Sequence, residues 1–71
     1  MIIWIMSIFA TTHMLSESCV VRDMPNRSAS KFEYITAGES VEVYSKGDWY
    51  TVILDYQSEK IVKYIYGRCF K

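Results

Sequence analysis

Past Cys19, apolar positions recur every second residue, the spacing of strands with one buried face, and not at the helical period of 3.6. "KFEYIT" sets Phe32 and Tyr34 against Glu33 and Ile35, and "SVEVYS" sets Val41 and Val43 against Glu42 and Tyr44. "WYTVIL" is rich in β-branched and aromatic residues; its period sorts Tyr50, Val52 and Leu54 to one face and Trp49, Thr51 and Ile53 to the other. "CVVR" is a short apolar run ahead of these, "KIVKYIY" is a strand after them, and beyond the break at Gly67 "RCF" has the length of a short closing strand. Turn chemistry separates the runs: the loop "DMPNRSAS", then Ala37-Gly38-Glu39, then "SKGD", where Gly47 is placed to take the positive φ of a tight hairpin, then "DYQSE". Five short strands at this spacing predict an all-β fold, a small and strongly bent barrel that requires no helix.

The start of the chain breaks this pattern. "MIIWIMSIFA" has no charged side chain. It is short for a membrane span, which wants about 20 apolar residues, and has the size of a signal-peptide apolar core. Ser16 and Ser18, just ahead of Cys19, supply the small residues that cleavage needs. Against this, no Lys or Arg stands near the start, and extension through "TTHML" gives a marginal membrane segment. Residues 1–18 therefore read as a signal peptide, as a retained membrane-associated apolar segment, or as an ordinary buried segment, with residues 19–71 as the folded domain.

A chain of 71 residues holds one domain and sits near the lower limit of what burial alone sustains. Cys19 and Cys69 offer an extra tie across nearly the whole mature segment. Their disulfide would stabilise the fold by roughly 4 kcal/mol in the chain-entropy model; the alternative is two buried thiols. A disulfide favours an exported protein, periplasmic or extracellular. Lipid attachment at Cys19 is disfavoured, because Ser16 stands where an apolar residue is needed. Formal net charge is zero, which removes the broad attraction to phosphate that drives nucleic-acid binding. Aromatic residues make up 15% of the chain and six of them are tyrosines, which suits a thin barrel or an interface.

The order of these segments resembles the bacterial SH3 (SH3b) family. The residues that carry the resemblance are Val21-Arg22, Pro25, Tyr34-Ile35, Gly38-Glu39, Val41 with Val43, Gly47, Trp49 and Val52, then Tyr64-Ile65 and Gly67 to Phe70. They span nearly all of the chain from about Val20. Two sites depart from the family pattern: "DMPNRS" replaces a small residue and glycine near the first loop's proline, and Lys63 stands where glycine usually precedes the late aromatic. The resemblance implies an SH3-like barrel and a binding module of exported proteins that recognises cell-wall peptide, glycan or protein. It implies no catalytic activity.

Candidate chemistry in the side chains agrees. His13 is the single histidine and lies in the apolar leader, so a mature domain would have none for a catalytic triad or a metal site. The cysteine spacing matches no zinc pattern and the three glycines are scattered, so neither a metal nor another cofactor is expected. Glu39 with Glu42, and Asp48 with Asp55, read as solvated turn and strand-edge charges. Arg22 is placed to pair with Glu39 or Glu42, a structural role worth little if exposed. In an SH3-like barrel Trp49 would face a groove with Tyr34 and Tyr64, bordered by Asp48 and Arg27. The alternative is that Trp49 caps the barrel end or packs on the leader. Three roles fit a lone non-enzymatic domain: an envelope binding module for a peptide, glycan or protein, a small inhibitor or immunity protein, and an accessory subunit of an envelope assembly that uses its apolar start as a membrane contact.

Overall fold

The computed structural model describes residues 10–71. The charge-free start "MIIWIMSIF", on which the signal-peptide and membrane-contact expectations rest, lies outside the described residues. Among those described, no helix is long and apolar enough to cross a membrane.

The fold is all-β, as the period-two pattern predicts. Six strands, β1 (Thr11–Met14), β2 (Cys19–Arg22), β3 (Lys31–Ile35), β4 (Ser40–Ser45), β5 (Trp49–Tyr56) and β6 (Glu59–Tyr66), form one antiparallel sheet in the order β1-β4-β5-β6-β2-β3. A 3-10 helix, Gly67–Phe70, follows β6. Two differences from the sequence reading are local. β1 adds a sixth strand ahead of Cys19, where "TTHM" offers no apolar alternation. The expected closing strand "RCF" is instead part of the 3-10 helix, whose Cys69 is held by a disulfide and whose Gly67 is pressed against the β4–β5 turn.

One cluster of buried residues unites Leu15, Val21, Ile35, Val41, Val43, Val52, Ile65 and Cys69. Val41, Val43 and Val52 are the residues that alternation assigns to the inner face. Leu15 is 1% exposed, and its backbone bonds to the β3–β4 turn through Leu15 N–H to Glu39 C=O (2.9 Å) and Gly38 N–H to Leu15 C=O (2.9 Å). The chain ahead of Cys19 thus contributes to the core. Gly38 sits in that turn with φ +92°, in the left-handed region glycine tolerates.

Gly47 differs from expectation: Gly38 is the glycine with positive φ among the described residues. The β4–β5 turn is instead shaped by its neighbour. Gly67 N–H donates to Asp48 C=O at 2.8 Å, and a Cβ on Gly67 would lie 2.6 Å from the Gly47 carbonyl oxygen. The turn and the 3-10 helix touch backbone to backbone, which places Trp49 beside Tyr66.

Candidate functional site: an aromatic groove beside the disulfide

Strand register decides which aromatics share a face. Trp49 lies opposite Tyr66, Thr51 opposite Tyr64, Arg22 opposite Tyr64, and Val20 opposite Tyr34. Directly opposed positions bring side chains together, so the outer face at this end of the sheet is set with rings. Trp49 and Tyr66 rings tilt against each other with centroids 5.3 Å apart. Together with Tyr34 and the Cys19–Cys69 disulfide they line a groove of about 310 Å³. Trp49 and Tyr66 are half-buried, whereas Tyr34 is 64% exposed. Val52, an inner position of opposite parity on β5, is fully buried, so Trp49 faces away from the core as its parity requires.

Both arginines of the first loop region reach the groove. Arg22 does not pair with Glu39 or Glu42: its Nη1 donates to the Ala29 carbonyl at 2.9 Å and closes the loop between β2 and β3 on itself. The register shift between Val21 and Arg22 frees this end of β2 for that contact. Within the loop, Asp23 N–H bonds to Ser30 C=O at 3.0 Å and Ala29 N–H to Asn26 C=O at 3.3 Å. The loop so held sets the Arg27 guanidinium 5.4 Å from the Tyr66 ring centroid, a cation–π contact worth about 0.5–1 kcal/mol where exposed. A second anchor is the Lys63–Asp23 ion pair at 2.8 Å, with the Lys63 ammonium 4.8 Å from the Phe32 ring centroid. Lys63, one of the two departures from the SH3b pattern, therefore ties β6 to the root of the loop.

Of the residues that sequence assigns to the site, Trp49, Tyr34 and Arg27 meet in this groove and Tyr64 and Asp48 do not line it. Tyr64 is two residues away along β6, beside Thr51, and Tyr66 fills the position opposite Trp49. Parity makes Tyr66 a candidate equal to Tyr64, and only the register of β5 on β6 chooses between them. Asp48 lines a neighbouring depression with Gly47, Tyr50, Gly67, Arg68 and Lys71. Sequence reasoning also missed Glu17 and Ser18, which line the groove from the segment ahead of β2.

Other candidate chemistry falls elsewhere. His13 is on β1, its Nε2 2.8 Å from Thr11 Oγ1, and its ring is edge-on to Tyr50 and Phe70, themselves stacked 4.4 Å apart. Glu17, Cys19 and Cys69 cluster closely enough to suggest metal ligands, but the two sulfurs are bonded to each other and present no thiolate. Asp48 precedes β5, whereas Asp55 is a strand residue near its far end and not a turn charge. Asp55 pairs with Lys60 at 3.2 Å; that hydrogen bond, then the charges of Asp55 and Glu42, raises the Lys60 amine above its ordinary 10.5 at the end of β6 remote from Tyr66.

No protein-family model matches this chain, and no curated protein or solved structure matches it.

Proposed function

We propose that this chain is an exported, non-enzymatic SH3b-like binding module that recognises a peptide, glycan or protein partner in the cell envelope through the groove of Trp49, Tyr34 and Tyr66. In this reading β2 to β6 are the five strands of a small SH3-like barrel and β1 is an addition to it. The observation that carries the reading is convergence: Trp49 from the start of β5, Tyr34 from β3, Tyr66 from the end of β6 and Arg27 from a loop come together in one concavity. Rigid aromatics give a binding site much contact area for little lost side-chain entropy, and Trp, Tyr and Arg dominate binding energies at interfaces. The disulfide beside the groove supports an oxidising compartment.

The test compares the 71-residue chain with its Trp49→Ala variant as baits for solubilised envelope and for purified cell-wall sacculi, under oxidising conditions. Trp49 is half-buried and tilts against Tyr66, so its loss should cost about 1–3 kcal/mol of stability. Binding measured on the folded variant should fall by about 30-fold or greater, the range of an interfacial hot spot. A variant that retains its ligand while melting lower would assign Trp49 to packing and remove the groove from the function.

A further inference from the structure

We propose that the groove takes an extended peptide segment bearing a carboxylate, received by the Arg27 and Arg22 guanidinia while its neighbouring residues lie on Trp49, Tyr34 and Tyr66. This rests on the binding-module reading and narrows it to one ligand class. Charge is the first argument. Among the described residues the ion pairs are Lys60–Asp55 and Lys63–Asp23, so neither Arg22 nor Arg27 has a carboxylate partner, although both line the groove.

Both are nonetheless positioned. Arg22 uses one of its five N–H donors on the Ala29 carbonyl, which fixes the plane of the remaining ones, and Arg27 lies over Tyr66. A planar guanidinium fork held in place matches a carboxylate bidentately, and a neutral amide cannot replace that ligand without leaving donors unpaired. Glu17, the carboxylate that lines the groove, stands beside the disulfide sulfurs and not on Arg27, so it gives the groove a polarity: acid is repelled at the disulfide and accepted at the loop.

Backbone geometry favours peptide over glycan. Tyr34 belongs to β3, the last strand of the sheet, with no neighbour on its far side among the described residues. The groove lies on the side of Tyr34 where β3 pairs with β2, and a ligand that runs on past Tyr34 meets the unpaired N–H and C=O groups of the edge, which an extended peptide can bond. A groove of about 310 Å³ is at the small end of ligand clefts, suited to a short peptide stretch.

The experiment selects random displayed peptides on the oxidised 71-residue chain, with counter-selection on Trp49→Ala. Recovered sequences are then synthesised with Asp or Glu, with the matching Asn or Gln, and with free or amidated C-termini, and titrated calorimetrically. The expected result is an enriched acidic position whose conversion to the amide weakens binding about ten-fold. The C-terminal pair shows whether the carboxylate is a side chain or a chain end. Arg27→Gln, at an exposed position, should lower the melting temperature by only a few degrees, through its lost contact with Tyr66, and clearly narrow the acid–amide gap, with Arg22 supplying what remains. High salt should narrow the acid–amide gap in the wild-type chain, since an exposed pair is screened. Trp49-dependent peptides that bind equally as acid and amide would overturn the carboxylate assignment and leave the binding module standing. So would a full acid preference in Arg27→Gln. Trp49-dependent binding of a uronic-acid oligosaccharide with no such peptide would overturn the peptide class, and no Trp49-dependent ligand of either kind would overturn both readings.

Discussion

Leu15 and Gly67 show how single residues hold the groove in place. Leu15 is buried to 1% exposure from a position ahead of the first predicted strand, while its neighbour Met14 is 62% exposed. Leu15→Ala should destabilise the domain by about 2–5 kcal/mol, and Met14→Ala by less than about 0.5, in chemical denaturation. Equal effects would mean that the chain ahead of Cys19 is not part of the core. Gly67 works by absence: a Cβ there would meet the Gly47 oxygen at 2.6 Å, the Asp48 oxygen at 3.0 Å and a Tyr50 ring carbon at 3.1 Å. The first two are backbone atoms and cannot swing aside. Gly67→Ala should therefore cost about 1–3 kcal/mol by overpacking, and shift the fluorescence of Trp49 by moving the turn off Tyr66.

At the level of elements, the turn between β5 and β6 carries a removable strain. Tyr56 pairs with Glu59, so Gln57 and Ser58 make a two-residue hairpin loop, with φ of 50° and 67°. Both values lie in the left-handed region that disfavours residues with a Cβ and that Asn-Gly fills at least cost. The double replacement Gln57→Asn, Ser58→Gly should raise the midpoint of denaturation, a gain of about 0.5–1 kcal/mol, without altering binding. A neutral or lower midpoint would show that the loop is not strained. The sequence places this turn, because "DYQSE" interrupts two apolar runs, but Gln-Ser carries no signature of the left-handed conformation that a tight antiparallel pair imposes. β1 was illegible for a related reason: "TTHM" is an edge strand whose pairing with β4 comes from backbone groups that no hydrophobic period reports.

For the whole molecule the decisive tie is Cys19–Cys69, with Cα atoms 6.3 Å apart across a sequence separation of 50. Closing that loop removes about 4 kcal/mol of entropy from the unfolded chain, a large fraction of the total stability of a small domain. Reduction, or Cys19→Ala with Cys69→Ala, should lower the unfolding free energy by about that amount in chemical denaturation and reduce groove binding, since the disulfide is part of the lining. An unchanged midpoint would mean that the core alone suffices. The sequence by itself determined the all-β class, the order along the chain of β2 to β6, the inner residues Val41, Val43 and Val52, and the single partner open to Cys19 should it form a disulfide. Each follows from local alternation, turn residues or the fact of only two cysteines. Tertiary structure alone decided that Leu15 completes the core, that Gly67 ends the last strand against Gly47, and that Tyr66 rather than Tyr64 stands opposite Trp49. Those outcomes depend on register and on contacts between residues distant along the chain, and a period of two is the same whichever way register shifts by two.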